Sequence, residues 1–322
     1  MFQNSIMNHL AKQEQEWSVK QLMQNKYIIL GGNGFIGRNL CDYIVGQGHD
    51  VTSFDRVLPE YQNKKVNYVQ GDFFEDDYLK KIIADKDVII HAISTINPGN
   101  SNELYMNGYQ RDFVQTVKMC SWIKDAEKKI VFLSSGGTVY GSYEKQPLCE
   151  EILPRPINHY GNVKLSIENA LRIFHIQNKL NVTIARISNP YGPGQDFKKG
   201  VGFVDAVLKQ SLDHKQVEIW GDGENIRDYI YIEDVCKYLY ALAEYQGNEI
   251  LFNVSSGIGI SQNQVVQAIR NIGIDVQVKY KDSRSVDVRK IILDNHKINQ
   301  ISDCRVLTFQ EGIEKYYEYL KK

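Results

Sequence analysis

The segment YIILGGNGFIG, residues 27–37, contains the pattern from which the fold can be predicted. Its first four residues form a continuous apolar run, which is typical of a short strand buried on both faces. Gly31, Gly34 and Gly37 follow in a G-x-x-G-x-x-G pattern, and an amphipathic stretch begins inside it. Glycines between a strand and a helix let the backbone turn tightly and approach a pyrophosphate, which N–H groups at the helix N-terminus can bind. The segment therefore predicts a dinucleotide-binding unit.

Strands and helices alternate along the chain beyond this unit. Further strands are predicted over 49–54, 87–92, 129–133 and 181–187, and helices over 35–45, 109–124 and 160–178. Such alternation is typical of parallel βαβ units. We expect an α/β fold, a Rossmann-like doubly wound parallel sheet with a smaller C-terminal α/β substrate region. The expected divisions are a polar N-terminal extension (1–25), an NAD-binding domain (26–187) and a substrate domain (188–322), with parts of about 226–256 returning to the NAD-binding domain.

Composition excludes several classes of protein. The chain has 322 residues, 43% of them hydrophobic and 24% charged, with a net charge of −1. These values fit a globular protein with a sizeable core and argue against a nucleic-acid binder, which would carry a basic excess. No apolar run is long enough to span a membrane, and the start lacks an apolar signal core. Five scattered cysteines suggest no disulfide framework and no metal site, so we expect a cytoplasmic protein with reduced thiols.

The end of the second predicted strand indicates which dinucleotide is bound. Asp55 lies 18 residues after Gly37, where a carboxylate accepts a hydrogen bond from a ribose 2′-OH and repels a 2′-phosphate. This favours NAD over NADP. The adjacent Arg56 could pair with a 2′-phosphate, but we expect a solvated surface arginine that stacks on the adenine. Asp72, after the third strand, is placed to bind the adenine amino group; as an isolated residue it is more often a turn or helix cap.

Tyr160 and Lys164 form a second chemical signature. Four residues apart, they share one face of a predicted helix. A nearby ammonium group lowers the pKa of a phenol, so that tyrosinate can take a proton from a sugar hydroxyl while hydride leaves the carbon. Alone, Y-x-x-x-K is a weak signal in a chain with 20 tyrosines. Downstream of the glycine loop, it indicates a catalytic pair.

Together these blocks resemble the extended short-chain dehydrogenases/reductases, within the NAD-dependent epimerase/dehydratase family typified by UDP-glucose 4-epimerase. The resemblance covers roughly residues 26–322. Besides the segments above, it depends on His91-Ala92, SSGGTVYG (134–141), YGNVKLSIE (160–168), ARISNPYGPGQ (185–195), GDGENIRDYIYIEDV (221–235) and FNVSSG (252–257).

The resemblance implies roles for individual residues. Tyr160 would be the catalytic base, and Lys164 would hold the nicotinamide ribose. Asn189, Arg227 and Arg284 would contact the diphosphate of a nucleotide sugar, the arginines as cations. The implied NAD contacts are Gly31, Gly34, Phe35, Ile36, Gly37, Asp55, Arg56, Asp72, Phe73, His91, Ala92, Tyr160 and Lys164.

Two departures from the family pattern stand out. Gly136 occupies the position, four residues before the tyrosine of V-Y-G, where the family usually has Ser or Thr. In an extended chain Thr138 would face the same side as residue 136, so we expect Thr138 to supply the missing hydroxyl to the substrate, with Ser135 as the second candidate. The segment 109–113 lacks the asparagine and the close-packing glycine of N-V-x-G-T, so this helix is expected to sit differently.

The resemblance leaves the reaction open between three alternatives. Dehydratases of the family carry an Asp-Glu pair where this chain has Gly137 and Thr138, so dehydration is disfavoured. A 4-epimerase needs one base and a retained NAD, which favours reversible inversion at C4 of a UDP-hexose. The alternatives are an NAD(P)H-dependent reductase of a nucleotide-linked 4-keto sugar, and a nucleotide-sensing protein that has lost the reaction.

Substrate range and assembly also follow from the resemblance alone. Ile291 corresponds to a position beside the sugar C2 substituent, and it is smaller than the aromatic residue of stricter members, so a 2-acetamido sugar would fit. Family members often pair through two helices, here 103–124 and 160–178, so a homodimer is expected. The apolar positions Val163, Ile167, Leu171 and Phe174 would fill either the core or that dimer seam.

Overall fold

The computed structural model describes residues 24–195, 202–282 and 288–322. Their strands are β1 (Lys26–Leu30), β2 (Asp50–Asp55), β3 (Asn67–Gln70), β4 (Val88–His91), β5 (Lys129–Ser135), β6 (Asn181–Ile187), β7 (Asn189–Tyr191), β8 (Val217–Trp220), β9 (Ile226–Tyr231), β10 (Leu251–Val254), β11 (Gly259–Ser261), β12 (Val278–Lys281) and β13 (Lys290–Ile291).

The helices of the same residues include one π-helical turn, Gly108–Phe113, next to α-helical segments. The α-helices are α1 (Phe35–Gly46), α2 (Asp76–Ile83), α3 (Tyr105–Asn107), α4 (Val114–Ile123), α5 (Gly136–Val139), α6 (His159–Asn178), α7 (Phe203–Leu212), α8 (Ile232–Glu244), α9 (Gln262–Asn271), α10 (His296–Asn299) and α11 (Phe309–Leu320).

Seven parallel strands form the central sheet, in the order β3–β2–β1–β4–β5–β6–β10. The chain starts in the middle with β1, winds outward to β3, and then crosses back to β4 on the other side. This reversal between β1 and β4 opens a crevice at the carboxyl ends of the strands, which is where ligands bind in such sheets. The predicted fold class, a doubly wound parallel sheet, is confirmed.

The core lies on both faces of this sheet, because successive strand side chains point to opposite faces. Tyr27 and Ile29 of β1 belong to one buried cluster with apolar residues of α1 and α8, whereas Ile28 and Leu30 belong to another with residues of α2, α4 and α6. All four side chains are fully buried. The continuous apolar pattern of β1 therefore reflects helices packed on both sides.

A smaller α/β region follows β6. Strands β7, β11 and β13 pair with β9 in a four-stranded sheet, and β8 pairs with β12 in a separate two-stranded one. The chain then returns to the central sheet, since α8 packs on α1 and β10 pairs with β6. The return begins after β9, whose residues 226–231 belong to the smaller sheet.

Two global features concern the environment of the chain. No helix in the described ranges is both long and apolar enough to cross a membrane. All five cysteines lie in those ranges, and none of them is paired in a disulfide.

Candidate active site

The carboxyl ends of β1, β4, β5 and β6 border a cavity of about 1100 Å³. Sequence-predicted residues form much of its wall: Gly31, Gly34, Phe35, Ile36, Gly37, Arg56, Ala92, Ser135, Thr138, Tyr160, Lys164, Asn189, Arg227 and Ile291. The structure thus places the glycine loop, the Tyr–Lys pair and the predicted nucleotide-sugar residues around one space.

The glycine loop has the geometry of a pyrophosphate cradle. Gly31 has a φ of +87°, which L side chains rarely adopt, and its N–H donates to the Phe54 carbonyl over 2.9 Å. A Cβ on Gly37 would lie 2.2 Å from the Gly31 oxygen, so only glycine allows helix and loop to approach so closely. Gly34 caps α1 without any side-chain hydrogen bond to the first turn. The N–H groups of that turn therefore remain available to an anionic ligand.

The residues predicted to bind adenosine, at the ends of β2 and β3, lie in two different environments. Arg56 lines the cavity, and Asp55 lies beside the loop, where its carboxylate accepts hydrogen bonds from the N–H groups of Asn33 (3.1 Å) and Arg56 (2.7 Å). The carboxylate of Asp72 caps a local turn at Phe74 N–H, which is the alternative that its residue type suggests.

Two predicted cofactor residues lie behind the cavity wall. Phe73 is buried, and its ring packs against that of His91. The His91 ring is fully buried, and Nε2 lies 2.8 Å from the Thr116 hydroxyl. Burial, reinforced by the charge of Lys164, lowers the pKa of His91 to about 3, so this ring is neutral. The Phe73 and His91 side chains therefore pack in the core beside the end of β4.

Tyr160 and Lys164 lie in the first turns of α6, on the face directed toward β5. Lys164 is buried, its ammonium donates to the Leu133 carbonyl over 3.0 Å, and it lies 5.7 Å from the centre of the Tyr160 ring. Burial raises the pKa of Tyr160 to about 12; the charge of Asp112 adds to this, and a hydrogen bond from Ser135 opposes it. Burial lowers the pKa of Lys164 to about 8, against the charges of Asp112 and Glu168.

The hydroxyl groups near Gly136 are arranged differently from the expectation. The expected extended chain at 136–138 is wrong, because β5 ends at Ser135 and residues 136–139 form the helical turn α5. A Cβ on Gly136 would lie 2.3 Å from Leu293, so a larger residue there would clash with this side chain. Ser135 contacts Tyr160, while Thr138 lines the cavity with a buried hydroxyl that has no protein partner.

Two of the predicted nucleotide-sugar residues, Asn189 and Arg227, come from strands β7 and β9 of the smaller sheet. The Asn189 amide donates to the Asp228 carbonyl over 3.1 Å, which turns the rest of that side chain toward the cavity. Arg227 on β9 is partly buried in the same wall. Arg284 lies outside the described residues.

Several functional candidates were missed by the sequence analysis. They are buried polar atoms without a protein partner in the cavity wall: Thr95 Oγ1, Ser188 Oγ, Asp205 Oδ2 and Gln262 Oε1. Such atoms cost free energy unless a ligand or water satisfies them, so they indicate a polar ligand. Ser188 directly follows β6 and Thr95 lies in the loop after β4, and a search for polar residues beyond the carboxyl ends of strands would have found them.

Comparisons with known proteins identify the family of this chain. Residues 27–255 match the NAD dependent epimerase/dehydratase family. The chain is 28% identical to dTDP-4-dehydro-6-deoxyglucose reductase of Escherichia coli, over 92% of this chain and 98% of the relative.

Solved structures of two UDP-sugar epimerases are similar to this chain over most of its length. UDP-glucose 4-epimerase of Thermotoga maritima, determined with UDP-glucose, superposes with a TM-score of 0.86 at 28% identity, covering 92% of this chain and 98% of the other. UDP-N-acetylglucosamine 4-epimerase of Methanobrevibacter ruminantium, determined with UDP-N-acetylmuramic acid, gives 0.84 at 27% identity, covering 92% and 98%. The predicted cofactor, NAD, and the resemblance seen in the sequence are confirmed. The chain is an enzyme of the NAD dependent epimerase/dehydratase family.

Proposed function

We propose that this enzyme reversibly inverts C4 of a UDP-hexose through a transient 4-keto sugar, with NAD retained between turnovers. The observation that carries the proposal is that Tyr160 contacts Ser135 and lines one cavity wall with Lys164 and Thr138. Bound NAD would supply the hydride acceptor and donor for this reaction. Tyr160, ionised as tyrosinate, would take the O4 proton as the C4–H bond breaks and give it back after the keto sugar has turned its other face.

Each neighbouring residue supports this proton transfer. Ser135 stabilises the tyrosinate by donating a hydrogen bond to it. Thr138 offers its unpartnered hydroxyl to the sugar, and Lys164 presents its ammonium to the nicotinamide ribose. Asn189 and Arg227, with Arg284 as a third candidate, hold the UDP diphosphate.

A dehydratase reaction is disfavoured by the lining of the cavity. Dehydration needs an acid to protonate the leaving hydroxyl. Asp205 is the one carboxylate among the described lining residues, and it belongs to α7 of the smaller region, where Tyr316 donates to it over 2.9 Å. Gly137 and Thr138 stand where dehydratases carry acidic residues.

The deciding experiment is an NMR panel without added cofactor. The purified protein is mixed with UDP-glucose, UDP-galactose, their N-acetyl analogues and the uronic acids, and the anomeric protons are followed. A C4-epimer signal from one sugar supports the proposal and identifies the substrate. No turnover of any sugar, or a strict need for stoichiometric NAD(P)H, contradicts it.

A reductase of a nucleotide-linked 4-keto sugar is the second candidate. The specific observation in its favour is Arg56, which lines the cavity and could pair with the 2′-phosphate of NADPH. One relative that is 28% identical to the chain is named as a dTDP-4-dehydro-6-deoxyglucose reductase. Oxidation of NADPH by a 4-keto sugar, with no epimerisation, would select this alternative.

Ser135→Ala is predicted to lower kcat about ten- to hundredfold, the size of one hydrogen bond to a charged group. Because the Ser135 hydrogen bond lowers the pKa of Tyr160, its loss raises that pKa. The rising limb of the pH–kcat profile should therefore move to higher pH. Thr138→Ala is the matched control, since it removes a hydroxyl that contacts the sugar and not the base. It should lower kcat/KM without moving the profile, and equal profile shifts in both variants would contradict these assignments.

Ile291→Tyr is predicted to shift the preference from UDP-N-acetylglucosamine toward UDP-glucose by about tenfold in kcat/KM. Ile291 lines the cavity at 3% exposure, so a larger ring there would displace a C2 acetamido group. Ile291→Leu conserves volume and should leave the preference unchanged. The ratio of the two kcat/KM values is the measurement, since it cancels any loss of folded protein. If the ratio of the two kcat/KM values were unchanged in Ile291→Tyr, the sugar C2 substituent would not lie beside residue 291.

We also propose that the enzyme acts as a homodimer. Val163, Ile167 and Leu171 are buried in the chain's own core, so they cannot form the seam. Exposed apolar side chains on the same helical segments are Tyr105, Met106, Val114, Ile173 and Ile176. Such side chains are typical of a helix–helix interface. A monomer in sedimentation at micromolar concentration would contradict the proposal.

We place the reaction in the cytoplasm. Five unpaired cysteines, three of them buried, fit a reducing compartment. A UDP-sugar epimerase there would supply polysaccharide or glycoconjugate synthesis. Detection of the full-length chain only in a secreted fraction would contradict this assignment.

A further inference from the structure

Asp112 is a buried carboxylate next to the catalytic pair that the mechanism above does not use. It is 2% exposed and belongs to the π-helical turn Gly108–Phe113. Oδ2 accepts hydrogen bonds from the Ser94 hydroxyl (2.9 Å) and the Thr95 N–H (2.8 Å), and both of those residues line the cavity. Oδ1 is buried without a protein partner. A carboxylate held this way is costly unless a nearby positive charge compensates it.

The π-helical turn explains how a carboxylate fits here. Gly108 supplies the close packing in this segment, since a Cβ on it would lie 2.4 Å from Ile96 and 3.0 Å from Val163 on α6. The turn is wider than an α-helix and carries Asp112 into the interior, toward the loop that follows β4. π-Helical turns of this kind are frequent at functional sites.

Before a ligand binds, the charges described around Asp112 balance. Asp112 acts electrostatically on Lys164 and Tyr160, and both of these line the cavity. Lys164 supplies one positive charge, and the phenol of Tyr160 is neutral at pH 7. His91, packed behind β4, is neutral, and Glu168 is paired with Arg186. Lys164 and Asp112 therefore balance each other before a ligand binds.

We propose that Asp112 sets the redox balance of the bound nicotinamide by favouring its cationic, oxidised form. This rests on the proposed function in placing the nicotinamide beside Tyr160 and Lys164. When the sugar C4–H bond breaks, two electrons and a proton pass as hydride to the ring, which loses its positive charge, and the O4 proton passes to Tyr160. A fixed negative charge stabilises the cation and so opposes reduction. Asp112 thereby keeps the 4-keto sugar from accumulating.

The test is a redox titration of the purified holoprotein against a dye of known potential, with no sugar present. Asp112→Asn keeps the shape and the acceptor for Ser94 and Thr95 but removes the charge. At a fixed potential, the ratio of reduced to oxidised bound cofactor, measured by near-ultraviolet absorbance, should rise about tenfold, the order expected for one buried charge. Asp234→Asn is the control, because Asp234 is equally buried, accepts the Leu307 N–H and does not line the cavity.

Asp112→Gly gives a second, independent variant, which removes the charge and the side chain together. Both variants should show the rise, and Asp234→Asn should not. An unchanged or lower ratio in either variant overturns the proposal. If both Asp112 variants lost the cofactor, Asp112 would have a role in retaining the cofactor, and this result would also overturn the redox proposal. Because the titration needs no sugar, its result is separate from the epimerase assay, and failure of one leaves the other interpretable.

Discussion

Tyr160→Phe should lower kcat by about 10²–10⁴-fold, the usual contribution of a positioned acid–base group. The substitution removes only the phenolic oxygen. The ring, which packs on the core cluster of the sheet face that carries α6, stays in place. Ser135 and Thr138 cannot replace the lost oxygen, since their hydroxyls are far weaker acids than a phenol and do not form the anion that takes the O4 proton. KM should change little, because Asn189 and Arg227, the residues proposed to hold the nucleotide, are unchanged in this variant.

The control for this prediction is Tyr143→Phe. Tyr143 also has a partly buried ring, and its hydroxyl donates to the Leu153 carbonyl away from the cavity wall. Its loss should leave kcat unchanged. The free energy of unfolding of Tyr160→Phe should stay within about 0.5 kcal/mol of the parent, as for other changes that spare the core. If Tyr160→Phe retained more than a tenth of the parent kcat, another group would have to be the base.

The sequence predicted the parts of the site whose chemistry is local. Gly31, Gly34 and Gly37 are bounded by a strand and a helix, so their spacing alone indicated a turn that binds pyrophosphate. Tyr160 and Lys164 are one helical turn apart, and their shared face follows from helix geometry. Contacts within a few residues depend on backbone periodicity, and periodicity can be seen in the sequence.

The roles that depend on distant contacts were not predictable in this way. Thr138 was ranked by assuming an extended chain, yet β5 ends where two glycines, poor strand formers, follow Ser135. The burial of Asp112 depends on the Ser94–Thr95 loop, 17 residues away in sequence. Val163 could have been core or dimer seam, and its burial and its packing against Gly108 show that it is core. In each case the deciding neighbour lies outside the local pattern.

Glu168→Gln should cost about 3–5 kcal/mol of unfolding free energy, the usual loss when one partner of a buried ion pair is removed. The side chains of Glu168 and Arg186 are 1% and 2% exposed. The guanidinium donates from Nη2 over 2.7 Å and from Nε over 3.1 Å, and Ser134 donates to the same carboxylate. Burial lowers the pKa of Arg186, but Glu168 outweighs this and raises it, so the arginine stays charged. The substitution therefore leaves a buried cation without its counter-charge.

Asp222→Asn is the matched control for that loss. Asp222 and Arg289 form a comparable two-pronged pair, with distances of 2.7 and 2.8 Å, but their side chains are 59% and 60% exposed. Water can solvate Arg289 once the Asp222 charge is lost, so the chemical denaturation curve of Asp222→Asn should match that of the parent. The double variant Glu168→Gln/Arg186→Met should recover part of the stability, since it removes the uncompensated charge. Equal losses in Glu168→Gln and Asp222→Asn, or no recovery in the double variant, would show that the buried charge is not the cause.

Because Ser134 precedes Ser135 and Glu168 lies one helical turn after Lys164, the folded fraction of Glu168→Gln should also have a lower kcat. The buried pair then supports the chain's stability and the alignment of its catalytic base together.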